Sequence, residues 1–157
     1  YRCRPSLPLT DNTVIIAPHP DDEVIGCAGL IQALVECGTP PHVIILTGGG
    51  GSHRFCCDVP SEQIMEKRRA LSLKATEILG LPISHLHLLD YQDEHIDIDY
   101  SETGKLRTLL SLLSPKVVFL PHWGEGMPDH INTAEIVKQL VKEKKVSIYE
   151  YCVWMWY

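Results

Sequence analysis

The chain alternates short, wholly apolar runs with longer stretches in which apolar positions recur at helical spacing. Thr13 to Ala17 (TVIIA) is β-branched and apolar, the pattern of a strand covered on both faces. From Glu23 to Cys37 the residues Val24, Ala28, Ile31 and Val35 fall on one helical face, and Gly38-Thr39-Pro40-Pro41 stops that helix. His42 to Thr47 (HVIILT) reads as a second buried strand. Ser61 to Leu79 predicts a helix with Ile64, Leu71, Ala75 and Ile78 turned inward and Gly80 as its C-cap. Beyond it come a strand at Leu86 to Leu89, a helix at Ser101 to Leu113, a strand at Lys116 to Leu120, a helix at Asp129 to Lys144 and a strand at Ser147 to Val153.

Strands alternating with helices over short connections imply an α/β fold. The expected form is a doubly wound, Rossmann-like, mostly parallel sheet of about five strands with helices on both faces. No repeat, linker or low-complexity stretch divides the chain, so residues 1–157 read as one domain. In such sheets ligands bind beyond the carboxyl ends of the strands, where the strand order reverses. Two polar clusters fall at strand ends, Pro18 to Glu23 after the first and Pro121 to His130 after the fourth. They are expected to meet.

Composition narrows the class. With 157 residues, 45% of them hydrophobic, the chain can bury a core without a disulfide scaffold. A net charge of −6 argues against a broad nucleic-acid surface, and Lys142, Lys144 and Lys145 read as a solvated helix end. The six cysteines form no Cys-x-x-Cys pair. Cys27 and Cys37 are expected to be buried free thiols in the first helix, and Cys56-Cys57 lies in a loop. A reducing, cytoplasmic compartment is the reading. There is no apolar run of bilayer length and no signal-peptide pattern. Gly48 to Gly51 lacks the Gly-Lys-Ser/Thr of a phosphate loop and is expected at the mouth of the site.

The chemistry concentrates in His19-Pro20-Asp21-Asp22-Glu23. His19 and Asp22 lie three apart at a strand-to-helix junction, which puts them on one face of the first turn. One imidazole and one carboxylate suit zinc or another divalent ion. Asp21 lies between them and is free to point elsewhere, as a general base beside a metal must. The bland alternative is that Asp21 or Asp22 only caps the helix. His130, in Pro128-Asp129-His130, opens the helix after the fourth strand and offers a third ligand. Three protein ligands leave a position for water.

APHPDDEVIGCAGLI, at residues 17–31, and MPDHINTA, at residues 127–134, resemble the two metal motifs of the LmbE/PIG-L family of zinc-dependent N-acetylglucosaminyl deacetylases. The resemblance runs from about Val14 to Trp154. It implies that His19, Asp22 and His130 bind zinc, that Asp21 is the base, and that the partner is an N-acetylated sugar conjugate. It further implies that Arg68 reaches the sugar and that Asp93 binds a sugar hydroxyl, with Asp90 as a competing choice.

The chain departs from the pattern. Met127 stands where many members carry a histidine that stabilises the oxyanion or protonates the leaving amine. A thioether does neither well, and His122 or Glu125 would have to compensate, with His122 the expected second donor. Leu71 stands where a glutamate is common. Family members usually continue beyond the fifth strand. The implied activity is metal-dependent N-deacetylation of an N-acetylglucosamine-type conjugate by a chain that could form homo-oligomers. The alternative is a metal-binding member with lost or altered catalysis. A receiver-like signalling module is disfavoured, because Tyr151 to Tyr157 offers no lysine after the fifth strand.

Overall fold

The computed structural model describes residues 12–53, 56, 58–96 and 103–155. Its strands are β1 (Thr13–Ala17), β2 (His42–Thr47), β3 (Leu86–Tyr91), β4 (Val117–Pro121) and β5 (Ser147–Tyr151). Its helices are α1 (Asp22–Glu36), α2 (Ser61–Ile78), α3 (Gly104–Leu113) and α4 (Pro128–Val141), with short 3-10 turns at Ile83–His85 and Trp123–Glu125. The strands form one parallel sheet in the order β3-β2-β1-β4-β5. The order therefore reverses between β1 and β4, where the sequence pattern expected its two polar loops to meet.

The apolar runs earn their places by serving two faces at once. Val14, Ile16, Ile44, Leu46, Val118 and Leu120 pack with Leu106 and Leu110 of α3 and Val137 of α4. The alternate positions Ile15, Ala17, Val43, Ile45 and Phe119 pack with Cys27 and Ile31 of α1. Side chains in a strand point alternately to opposite faces, so a strand covered on both sides must be apolar throughout. Gly26 permits a close approach in this second layer. A Cβ there would lie 2.3 Å from the Tyr151 ring, whose hydroxyl donates to the Ile16 carbonyl at 2.7 Å.

Four local expectations are corrected. In α2 the inward face carries Ile64, Ser72 and Thr76, while Leu71 is 64% and Ile78 74% exposed. Apolar residues surround this helix, so spacing alone does not select a face. Thr76 is tolerated inside because its hydroxyl donates to the Ser72 carbonyl at 2.8 Å. Leu71 and Ile78 instead line a groove with Ile25 of α1. Cys37 is exposed, unlike the buried Cys27, because it caps α1 beyond the last turn that faces the sheet. β3 runs two residues past Leu89, and β5 stops at Tyr151 rather than Val153. The start predicted for α3 at Ser101 lies outside the described residues.

Candidate metal centre

The β1–α1 junction folds tightly on itself. The His19 backbone N–H donates to Asp22 Oδ2 at 3.0 Å. Asp21 occupies the N-cap position but makes no side-chain capping bond. Its φ of 125° lies in a region that side-chain-bearing residues rarely enter. The Asp21 N–H donates to Glu23 Oε2 at 2.9 Å, and Arg68 holds the turn from α2. One guanidinium nitrogen of Arg68 donates to the Pro20 carbonyl at 2.7 Å and to Asp21 Oδ2 at 2.8 Å. Its other terminal nitrogen donates to the Gly49 carbonyl at 3.1 Å. Gly49 has φ 67°, and a Cβ on it would sit 2.3 Å from that guanidinium, so the clamp requires glycine.

Across the reversal point, His130 comes from the first turn of α4 and is fully buried. Asp22 Oδ2 lies 3.3 Å from His19 Nδ1 and 3.3 Å from His130 Nε2. One donor atom from each of the three falls within 4.8 Å of the others. The far nitrogen of each ring is held by carboxylate. His130 Nδ1 is 2.6 Å from Glu125 Oε2, and His19 Nε2 is 3.0 Å from both Asp129 and Asp93. Those carboxylates fix the far nitrogens as donors and turn the near nitrogens toward a common point, as partners of metal-binding histidines do. His130 Nε2 is buried, and beyond the 3.3 Å approach of Asp22 Oδ2 it has no partner among the described residues. Such a nitrogen is costly unless something accepts its lone pair. The donor set therefore fits a divalent cation with a taste for imidazole and carboxylate.

The electrostatics agree. Burial alone would lower His19, but the carboxylates of Asp129, Asp22 and Asp93 outweigh it and raise the imidazole to about 11. Burial likewise opposes the rise of His130, which Asp22 and Glu125 produce. Asp22 is drawn down to about 2 against its own burial by hydrogen bonds to His130 and His19. Protons sit where a cation would otherwise balance this negative charge. Asp21 behaves differently. Burial pushes its carboxyl up, and the Arg68 charge only partly opposes that.

These groups face a cleft of about 310 Å³ lined by His19, Asp21, Asp22, Arg68, Asp93, Met127 and Trp154, among others. A neighbouring hollow of about 530 Å³ shares Gly51 and Asp93 with it. Asp93 accepts from the Gly51 N–H at 2.7 Å. Burial would raise its carboxyl, but His19 and that N–H hold it down. Its competitor Asp90 pairs with Arg69 at 2.6 Å on the outside. Of the residues singled out from sequence, His19, Asp21, Asp22, Arg68 and Asp93 line the cleft, and His130 is buried behind them, 3.3 Å from Asp22. His122 is not brought to it. The extended backbone at the end of β4 turns its side chain toward β5, where Nε2 lies 3.5 Å from Glu150. Its Nδ1 accepts from the Gly124 N–H at 3.0 Å.

Sequence reasoning missed Asp129, Glu125 as the partner of His130, and Trp154. Asp129 is buried and accepts from the Glu94 N–H at 2.9 Å as well as facing His19. An acid directly beside a candidate ligand, as in Pro128-Asp129-His130, was the available signal. Trp154 carried none, because only the turn after β5 brings it to the cleft.

The sequence matches the family described as PIG-L: GlcNAc-PI de-N-acetylase over residues 14–141. The chain belongs to the PIG-L family. Among PIG-L-like relatives it is 30% identical to the diacetylchitobiose deacetylase of Thermococcus kodakarensis over 118 residues, covering 73% of this chain and 43% of that one. It is 30% identical over 138 residues to a probable N-acetyl-alpha-D-glucosaminyl L-malate deacetylase 2 of Bacillus anthracis, covering 82% of this chain and 58% of that one. The chain thus spans about half the length of these curated relatives. The solved N,N'-diacetylchitobiose deacetylase of Pyrococcus horikoshii superposes with a TM-score of 0.75 at 26% identity, over 83% of this chain and 49% of that one. Among the described residues of this PIG-L chain, no helix is long and apolar enough to cross a membrane.

Proposed function

We propose that the chain is a zinc-dependent N-deacetylase that removes acetate from an N-acetylglucosamine-type conjugate. The observation that carries this reading is the convergence of His19 Nδ1, Asp22 Oδ2 and the buried His130 Nε2 beside a cleft that Asp21 lines. Relatives named as deacetylases of acetylated amino sugars support the substrate class. Held by His19, Asp22 and His130, a zinc ion would polarise the acetamide carbonyl and acidify a water.

The chain's own residues supply the proton chemistry and the positioning. Asp21 keeps one carboxylate oxygen on Arg68 and lines the cleft. Its raised pKa suits a base that takes the proton of the attacking water and gives it to the departing nitrogen. The water oxygen bonds to the acetyl carbon, the C–N bond breaks, and acetate and a free amine leave. Arg68 and Asp93 are placed to meet sugar hydroxyls. The neighbouring hollow that shares Gly51 and Asp93 has room for the rest of the conjugate. His122, facing Glu150 outside the cleft, is poorly sited to protonate the amine directly, which leaves Asp21 with both transfers.

The test is acetate release from a panel of N-acetylglucosamine conjugates by the zinc-loaded chain, with Asp21→Asn alongside. Turnover that vanishes in Asp21→Asn at unchanged zinc content is expected; an Asp21→Asn variant with full activity would exclude this role. Met127 favours a second reading, a metal-binding member with altered catalysis, because this thioether lines the cleft and cannot donate a proton. Loss of an oxyanion donor typically costs on the order of a hundredfold in rate. Met127→His therefore discriminates: a large gain in rate marks weakened catalysis, and no turnover in either form favours the non-catalytic reading.

A further inference from the structure

The hollow beside the cleft has a chemistry that the metal centre does not use. It measures about 530 Å³ and adjoins the cleft at Gly51 and Asp93, which line both. A space of that size is ample for a small-molecule group. One side is the start of α2, another is the glycine run after β2, and a third is the turn after β3. The glycine run lies hard against the helix. A Cβ on Gly50 would sit 2.2 Å from Ser61 Oγ, so a side chain there would force these two walls apart. The run is tied to the third side by the Gly51 N–H, which donates to Asp93 at 2.7 Å.

The lining is amphipathic. Val59, Ile64 and Met65 supply apolar surface, while Ser61 and Gln92 supply neutral hydrogen-bonding groups. A sugar ring has the same two characters, C–H faces and a hydroxyl edge. The full charges, by contrast, are of one sign. Asp58, Asp90 and Asp93 line the hollow, and among the described residues no lysine or arginine does. Arg69 answers Asp90 from outside at 2.6 Å, and His19 answers Asp93 at 3.0 Å. Asp58 is exposed on the wall and has no such partner among the described residues. An anion placed in this space meets like charge that solvent screens only in part. The net charge of −6 repels anions weakly everywhere on the chain. A choice made inside the hollow differs from that general repulsion because it follows the sign of one side chain.

We propose that this hollow receives the part of the conjugate beyond the N-acetylated sugar, that it takes an uncharged sugar residue and turns away anionic groups, and that Asp58 sets this choice. The proposal rests on the deacetylase reading for what fills the cleft. Its selectivity is a matter of repulsion built against the wrong ligand as well as surface offered to the right one.

Two matched disaccharides test it, N-acetylglucosaminyl-glucose and N-acetylglucosaminyl-glucuronate, which differ only by a hydroxymethyl group against a carboxylate. Acetate release by the zinc-loaded full chain at low salt should give the neutral one a kcat/KM at least about tenfold higher. Salt at about 0.5 M should narrow that gap. Asp58→Lys should bring the two within about threefold by raising the glucuronate. Equal kcat/KM in wild type, or a gap that Asp58→Lys leaves unchanged, overturns the proposal. Should the lysine variant not fold, a wild-type gap that salt does not narrow overturns it equally. If neither disaccharide is hydrolysed, the deacetylase reading fails by itself, and calorimetric binding of the same pair decides the rest. A neutral ligand about tenfold tighter, with Asp58→Lys closing the difference, sustains the choice by charge. Equal affinities, or binding of neither, overturn it.

Discussion

Glu125→Gln changes one atom and removes one charge, yet it disturbs two sets of contacts. In the native chain the Glu125 side chain is fully buried. Its Oε2 accepts from His130 Nδ1 at 2.6 Å, and its Oε1 accepts from the N–H groups of Val153 and Trp154. A carboxylate can accept on both oxygens, whereas an amide can accept on one only. If the amide nitrogen faces His130, the ring must accept at Nδ1 and carry its proton on Nε2, and the nitrogen aimed at the metal point is lost as a ligand. Partners of this kind are worth about 10–100-fold in metal affinity, or roughly 1.4–2.7 kcal/mol. If the amide nitrogen faces β5 instead, two backbone donors lose their acceptor, at about 1–3 kcal/mol each. That should lower Tm by roughly 2–4 °C per kcal/mol. The assays are zinc affinity by chelator competition and thermal unfolding in EDTA. A variant within about twofold of wild type in zinc affinity, with unchanged Tm, would refute the reasoning. Reduced Tm at unchanged affinity would leave Glu125 as a tie between two loops and nothing more.

Burial raises the Glu23 carboxyl to about 7 from 4.5, against the pull of the Asp21 N–H. Between those values the folded chain holds a proton that the unfolded chain has released, so stability falls as pH rises through this window, by at most about 3 kcal/mol. Urea unfolding in EDTA at pH 5 and pH 8 should show that this slope flattens in Glu23→Gln, and an equal slope in both chains would count against it. His19, held at about 11 without an ion, must shed a proton before its Nδ1 can bind one, so zinc affinity should fall about tenfold for each pH unit lowered. Calorimetry in buffers of different ionisation enthalpy would detect the released proton, and zero release contradicts it. Trp154, half exposed on the cleft wall, offers an apolar face to a sugar ring. Trp154→Ala should raise KM several-fold with kcat little changed; a fall in kcat alone would assign it another part.

What the sequence revealed and what it hid divide along a physical line. β1, β2 and β4 were legible because a strand buried on both faces is apolar along nearly its whole length. The reversal point followed, and with it the meeting of His19 and Asp22 with His130. α2 was misjudged because its apolar residues encircle it, so the choice of Ser72 and Thr76 for the interior depends on how the helix settles on the sheet. Glu125 supports His130 from a short turn whose course no local pattern encodes, whereas Asp129, which supports His19, stands beside His130 in the first turn of α4, where the sequence offered a signal.

Asp21 shows what this fold gives up to hold a carboxylate at the cleft. Its φ of 125° is one that glycine adopts freely and aspartate enters at a cost of about 1–3 kcal/mol. The Arg68 clamp and the Glu23 carboxylate keep it there. Evolution had an easier residue for that turn, and the easier residue has no carboxylate. Asp21→Gly should therefore yield a chain whose turn is relaxed, at least as hard to unfold as the native one and inert toward acetamides. The native sequence, on this view, lies off its own stability optimum at the position where the proposed reaction needs its base.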